Sequence, residues 1–299
     1  MSRPDLRAAV WGSPIGHSRS PQLHRAAYEF LGLEVDYRRY EAQPQDIDAV
    51  LSALDAEPGR WLGFSVTMPL KAEFARRVAR PSDRVQRLGA LNTVVFDAEG
   101  RPDPAAAAGE NTDVEGIIRA LREADDLSAP HRMGLIGAGA TAAAGLEAAR
   151  QMGCAAVTVY ARTASRAAPL QDLARTSGIE LEVRDLTEVT TDLGHHRLDA
   201  VVSTLPPGAA DGVAAQIHEL AAGLPLLDVA YDPWPSALAL SWEEAGGQVV
   251  NGLTMLLHQA VEQVRLFTRS TERPAESLSE DEHTAMVDAM RAAIGLSRC

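Results

Sequence analysis

Met133-Gly-Leu-Ile-Gly-Ala-Gly-Ala-Thr-Ala-Ala-Ala144 is a short apolar run that breaks into alternating glycines. It reads Gly137-x-Gly139-x-x-Ala142, directly after a strand-like stretch at residues 132–136 and directly before an alanine-rich helical stretch at residues 140–152. In that context it is a dinucleotide-binding fingerprint; without the flanking strand and helix, the same letters would be only a glycine-rich turn. Gly137 permits the tight turn, Gly139 lets the backbone approach a pyrophosphate, and Ala142 is small enough for helix and strand to pack closely. The helix start around Ala138, Ala140 and Thr141 offers free N–H groups and a partial positive charge to the phosphates.

Outward from this loop, strands are expected at residues 132–136, 155–160, 181–183, 200–204, 226–229 and 248–250, with helices between them. That alternation predicts a doubly wound sheet of Rossmann type. The end of its second strand decides the cofactor. An acidic residue there would hold an adenosine ribose 2′-OH and favour NAD. The chain has Ala161-Arg162-Thr163-Ala-Ser-Arg166 instead. Guanidinium groups make charge-assisted, bidentate contacts with a 2′-phosphate, so NADP is the expected cofactor.

A chain of 299 residues that is 46% hydrophobic and 23% charged has material for two buried cores. Its formal net charge of −13 argues against nucleic acid or an anionic membrane as a partner, so an anionic ligand needs local donors. The two cysteines, Cys154 and Cys299, form no disulfide framework and fit a reducing compartment. There is no signal-peptide h-region, and no run approaches the roughly 18 apolar residues of a membrane span; a cytoplasmic location is expected. None of the eight histidines has metal-site spacing, and adjacent His195-His196 cannot easily share one ion, so no metal is expected.

The front of the chain also alternates strand and helix, with strands at residues 6–11, 35–40, 61–66 and 93–97. It predicts a first open α/β domain at residues 1–112, ahead of the cofactor domain at 113–251. The segment Gly12-Ser-Pro-Ile-Gly-His-Ser-Arg-Ser-Pro21 ends the first strand, and Ser20-Pro21 reads as a helix start with serine at the N-cap. Ser20 is as readily a plain cap as a ligand contact. Ser18 and Ser20 nevertheless sit at the mouth of a strand–loop–helix unit, where two hydroxyls suit a small carboxylate; His17 reads as a turn residue.

Ser65-Val-Thr-Met-Pro-Leu-Lys71 follows the third strand. Most helical lysines are solvated charges, but Lys71 lies in a first turn, where the helix dipole disfavours a cation. Partly desolvated, such a lysine approaches the working range of an acid–base catalyst. Residues 99–109 are rich in Pro and Ala and read as an irregular loop, ending in Glu110-Asn-Thr-Asp113. Capping of the helix at 114–123 is the simplest role for Asp113. In Gly252-Leu-Thr-Met-Leu-Leu-His-Gln-Ala260, Gln259 either faces a pocket or bridges helices. A last helix is expected near residues 280–294.

Taken together, these motifs resemble the shikimate dehydrogenase family over nearly the whole chain. The resemblance implies that Ser18 and Ser20 hold a substrate carboxylate, that Thr67 touches the substrate, and that Lys71 is the acid–base residue. Gly89-Ala-Leu-Asn-Thr93 and Glu110-Asn-Thr-Asp113 look like the family's two Asn-Thr motifs. They would place Asn92 and Asp113 on substrate hydroxyls, with Asp113 paired to Lys71. Asp83 stands where the family often has an acidic residue near the nicotinamide. Asp228-Val-Ala-Tyr-Asp-Pro233 resembles the segment that makes Tyr231 a substrate contact and Val229 a nicotinamide neighbour. By the same resemblance Gly252 lies near the cofactor, Gln259 on the substrate, and residues 252–299 return to pack on the first domain beside an interdomain cleft.

The chain departs from the family pattern at Ser65, where asparagine is usual, at Ala161, where asparagine usually precedes Arg-Thr, and at Ser203-Thr204-Leu-Pro206, beside the cofactor. These put substrate breadth in question more than chemistry. The implied activity is reversible NADPH-dependent reduction of 3-dehydroshikimate to shikimate, toward aromatic amino acids. Action on quinate or aminoshikimate, or a non-catalytic sensor that kept the fold, are the alternatives. The expected partner is a small molecule, and the chain fits a monomer or a homodimer.

Overall fold

The computed structural model describes residues 5–124, 130–195 and 197–297, so His196 and Cys299 lie outside the described residues. The chain divides into two compact units. One takes the residues up to Thr112 and resumes at Gln259; the other is Asp113–His258.

The first unit contains β1 (Leu6–Gly12), α1 (Ser20–Leu31), β2 (Val35–Glu41), α2 (Ile47–Asp55), β3 (Arg60–Val66), α3 (Lys71–Arg77), β4 (Arg80–Pro81), α4 (Asp83–Leu88), β5 (Thr93–Val95) and β6 (Ala108–Glu110). Its sheet runs β2-β1-β3-β5-β6-β4. β1 is parallel to both neighbours, and β5 is antiparallel to β3. Strand β1 is central because Ala8, Ala9, Val10 and Trp11 are all buried, as a strand covered on both faces must be.

Alternation along β3 separates the two faces of this sheet. Phe64 joins Trp11 and Phe74 in an aromatic cluster, with centroids 5.0 Å and 5.6 Å from that of Trp11. Gly63 and Ser65 point the other way, toward α1 and the end of the long helix α11 (Gly252–Phe267). A Cβ on Gly63 would collide with the Phe267 ring, so only glycine lets α11 lie this close to the strand. Helix α12 (Glu280–Ala293), lying beyond α11 in the chain, packs on α1.

Two expectations are corrected here. Ser20 is the first helical residue and not the cap: Arg19 is the N-cap, without a side-chain cap bond. The serine hydroxyl that serves the helix start is that of Ser18, which accepts from Ser20 N at 3.3 Å. Residues 99–109 are also more ordered than an irregular loop. They contain a 3-10 turn at Pro104–Ala106 and the first part of β6, which pairs with both β5 and β4.

The second unit begins with α5 (Asp113–Ala124) and continues through β7 (Arg132–Ile136), α6 (Ala140–Gln151), β8 (Ala156–Ala161), α7 (Ala168–Ser177), β9 (Glu180–Asp185), α8 (Val189–Gly194), β10 (Ala200–Ser203), α9 (Asp211–Ala214), β11 (Pro225–Asp228), α10 (Ala237–Glu244) and β12 (Gln248–Asn251). All its strands are parallel, in the order β12-β11-β10-β7-β8-β9. The chain winds one way from β7 through β9 and the other way from β10 through β12. The switch point therefore lies between β7 and β10, outside whose carboxyl ends such sheets bind ligands. Gly145 lets α6 settle on β7, since a Cβ there would stand 2.9 Å from Leu135 Cδ2. The boundary between the units falls inside α11, between His258 and Gln259. Among the described residues no helix is long and apolar enough to cross a membrane.

Candidate functional site

The glycine loop of the second unit is built as an anion cradle. Gly137 turns the chain at φ +114°, and a Cβ on it would collide with the Thr204 hydroxyl. Thr204 pins the loop: its N and Oγ1 both donate to the Ile136 carbonyl, at 2.8 Å and 3.1 Å. Gly139 is the N-cap of α6, and a Cβ on it would meet nothing within 4 Å. It would project into open space, where a pyrophosphate needs close backbone approach. Ala142 is fully buried under the helix.

A cavity of about 330 Å³ adjoins this loop, lined by Gly137, Ala138, Tyr160, Ala161, Arg162, Thr163, Arg166, Leu186 and Leu205. Arg162 and Arg166 are exposed, and among the described residues neither has a carboxylate partner. Two unneutralised guanidinium groups and a row of loop amides form a site for a phosphorylated dinucleotide. The residues present fit NADP. Leu205 belongs to the segment that the sequence placed beside the cofactor, whereas Tyr160 and Leu186 were not singled out.

At the far end of the same edge, Gly252 opens α11 against β11. A Cβ on Gly252 would collide with the Val229 carbonyl, so the two residues singled out near the nicotinamide are in close contact. Buried Asp228 holds this segment, accepting from Ser236 Oγ at 2.6 Å and Ala230 N at 3.3 Å. Burial raises its carboxyl pKa above the ordinary range, despite those bonds. Tyr231 follows, half-buried.

In the first unit, the loops after β1 and β3 are stitched together. Ser13 N donates to Met68 O at 2.9 Å and Thr67 N to Trp11 O at 2.8 Å, and Gly12 is too close to the Thr67 methyl for any side chain. Ser18 and Ser20 are buried, at 7% and 5% exposure. The exposed Arg39, missed by sequence reasoning, donates to Ser18 O at 2.7 Å and fixes this loop from β2. Lys71 is the first residue of α3, half-buried, and its carbonyl accepts from Leu91 N at 3.1 Å.

Asn92, next to Leu91, is the hub of the polar floor. Its Oδ1 accepts from Thr112 N at 2.8 Å and from Thr93 Oγ1 at 2.7 Å. Its Nδ2 donates to Thr112 Oγ1 at 3.0 Å and to Gln259 Oε1 at 3.2 Å. Lys71, Asn92 and Gln259 are therefore linked within one unit, and Asp113, 5% exposed, is the next residue after Thr112. Asp83 is exposed in the first turn of α4, behind the Ser82 cap. Among the described residues no group of three or more His, Cys, Asp or Glu side chains could hold a metal ion.

A family model for the shikimate dehydrogenase substrate-binding domain matches residues 10–94, the span that carries both serines, Thr67, Lys71 and Asn92. The NADP(+) shikimate dehydrogenase of Methanosarcina acetivorans is 33% identical over 91% of this chain and 95% of its own length.

The chain belongs to the shikimate dehydrogenase family.

Solved members of the family bear this out across both units. The shikimate 5-dehydrogenase of Mycobacterium fortuitum superposes with a TM-score of 0.75 at 37% identity, covering 98% of this chain and 99% of that one. The shikimate dehydrogenase of Mycobacterium tuberculosis gives 0.78 at 35% identity over 95% and 99%. Against this family, Ser65 does not leave a gap where asparagine is usual. It accepts from Tyr37 OH at 2.7 Å and donates to Gln263 Oε1 at 2.6 Å.

Proposed function

We propose that the chain is an NADP-dependent dehydrogenase that interconverts 3-dehydroshikimate and shikimate. The observation that carries this reading is the linked floor of the first unit. Asn92 joins Gln259 to Thr112, beside Asp113, while Leu91 ties that floor to Lys71. A cyclic polyol acid needs such a row of fixed donors and acceptors for its hydroxyls, because each mismatched buried partner is costly.

NADPH, held by the glycine loop and the arginines after β8, would supply a hydride for the ketone carbon. The chain's own residues do the rest. Ser18 and Ser20 hold the carboxylate, and Thr67, Asn92, Tyr231 and Gln259 hold the ring. Lys71 donates the proton to the oxygen that becomes a hydroxyl and recovers it in the reverse direction, with Asp113 keeping its ammonium in place. Arg162, Thr163 and Arg166 take the 2′-phosphate; Ala138, Gly139, Ala140 and Thr141 take the pyrophosphate; Val229 and Gly252 border the nicotinamide. Asp83 is retained as a weaker contact on the cofactor side. The partner is the small-molecule substrate, and the buried free thiol of Cys154 suits the cytoplasm.

The test is absorbance at the reduced-nicotinamide band with purified protein, shikimate or quinate, and NADP⁺ or NAD⁺. Reduction of NADP⁺ by shikimate in clear preference to the other pairs is expected. Preference for quinate or NAD⁺ would overturn the substrate or cofactor assignment, and tight shikimate binding without turnover would point to a sensor.

A further inference from the structure

Gln263 lies one turn beyond Gln259 on α11, in a stripe that ends with Phe267, and is 1% exposed. Its amide is bonded at both ends. Nε2 donates to Asn92 O at 3.0 Å and to Thr93 Oγ1 at 3.1 Å. Oε1 accepts from Ser65 Oγ at 2.6 Å and lies 3.2 Å from His24 Nε2. The Asn92 carbonyl can only accept, so it fixes which end of the amide faces which way.

Every hydroxyl around it then has one possible direction. Ser65 must give its proton to Gln263 Oε1, so the Tyr37 hydroxyl gives its own to Ser65. The Tyr37 oxygen is left as an acceptor toward the Ser20 hydroxyl, which partly offsets the rise that burial imposes on the Tyr37 pKa. His24 must carry its proton on Nε2, and Nδ1 accepts from Tyr28 OH at 3.1 Å. On the other side, Thr93 accepts from Gln263 and so donates to Asn92 Oδ1, which leaves Asn92 Nδ2 as the donor toward Gln259. One amide thus sets the sense of the hydroxyls that lead toward Ser20, and at Asn92 it adds to a sense that the Thr112 N–H already fixes by donating to Oδ1.

We propose that Gln263 is a positioning residue for substrate recognition, orienting Ser20 through Ser65 and Tyr37 and holding Asn92 in place through its carbonyl and through Thr93. This rests on the reading of shikimate as the substrate bound by Ser20 and Asn92. Ser65 and Tyr37 are the links that carry the effect to the carboxylate end.

The experiment is steady-state kinetics on the full chain with shikimate and NADP⁺, for wild type, Gln263→Met, Tyr37→Phe and the double variant. Gln263→Met keeps the volume and removes all four bonds. It is expected to raise KM for shikimate about tenfold, one to two oriented hydrogen bonds' worth, with KM for NADP⁺ within twofold of wild type. Tyr37→Phe should raise KM for shikimate severalfold with KM for NADP⁺ unchanged, and the double variant should be no worse than Gln263→Met alone, since both break one chain. Unchanged KM for shikimate in Tyr37→Phe and Gln263→Met, or equal rises for both substrates, would overturn the proposal. If Gln263→Met does not fold, Tyr37→Phe alone decides between these outcomes. A wild type that neither turns over nor binds shikimate would instead refute the functional reading on which the proposal stands.

Discussion

Asn92 and Gln259, 167 residues apart in the chain, share a hydrogen bond of 3.2 Å. The contact puts the second half of α11 into the first unit and gives the Asn-Thr motif and the closing motif one shared polar floor. An amide held at both Oδ1 and Nδ2 cannot rotate, so its donor and acceptor point one way before any ligand arrives. Preorganisation of this kind separates a binding floor from a set of polar residues.

The arginine pair gives a prediction about cofactor choice. Arg162→Ala and Arg166→Ala should each raise KM for NADP⁺ by about 10- to 100-fold, the worth of a charge-assisted hydrogen bond. KM for NAD⁺, which lacks the 2′-phosphate, should hardly change. Parallel losses for both nucleotides, measured side by side, would mean that the arginines serve the fold instead.

His24 gives a prediction about acid stability. Burial lowers its pKa to about 3, only partly opposed by the bond to Gln263. The unfolded chain titrates near 6.5, so below that pH it takes up a proton that the folded protein refuses. This contribution is complete above pH 6.5 and is lost as pH falls toward 3, at up to about 1.4 kcal/mol per pH unit. Urea midpoints from pH 7 to pH 4 should fall more steeply in wild type than in His24→Gln. Matching slopes would show that His24 is not held neutral by its surroundings.

Gly63 tests the packing that brings α11 onto β3. A methyl there would strike the Phe267 ring and stand close to the Val94 carbonyl, and backbone cannot retreat as a side chain can. Gly63→Ala should lower stability by roughly 1–3 kcal/mol in equilibrium denaturation, the usual cost of overpacking. A neutral effect would mean that α11 has room to shift.

Much of the fold was legible because its signals are local. The turn at Gly137, the helix start at Gly139 and the arginines after β8 all lie within 30 residues of sequence. The short strands β4 and β6 were not legible. Arg80–Pro81 and Ala108–Glu110 have little β propensity; β6 exists because β5 offers it an edge, and β4 because β6 then offers the next. Ser20 reads as a cap because serine before proline is a common helix start, yet the helix begins at Ser20 and its own N–H donates to the Ser18 hydroxyl two residues back. Gln263 was missed for a different reason. A glutamine in an apolar helix has no sequence signature of its own, and its partners lie up to 239 residues away. Its spacing of four from Gln259 and from Phe267 was the one available sign.

In the proposed reaction Lys71 moves the proton, and NADPH held at the glycine loop would supply the hydride. The most direct measurement is kcat for NADP⁺ reduction by shikimate in Lys71→Ala, with shikimate affinity measured separately by calorimetry. The account predicts a fall in kcat of about 10²–10⁴, with affinity changing far less. A Lys71→Ala enzyme that turns over at the wild-type rate would contradict it.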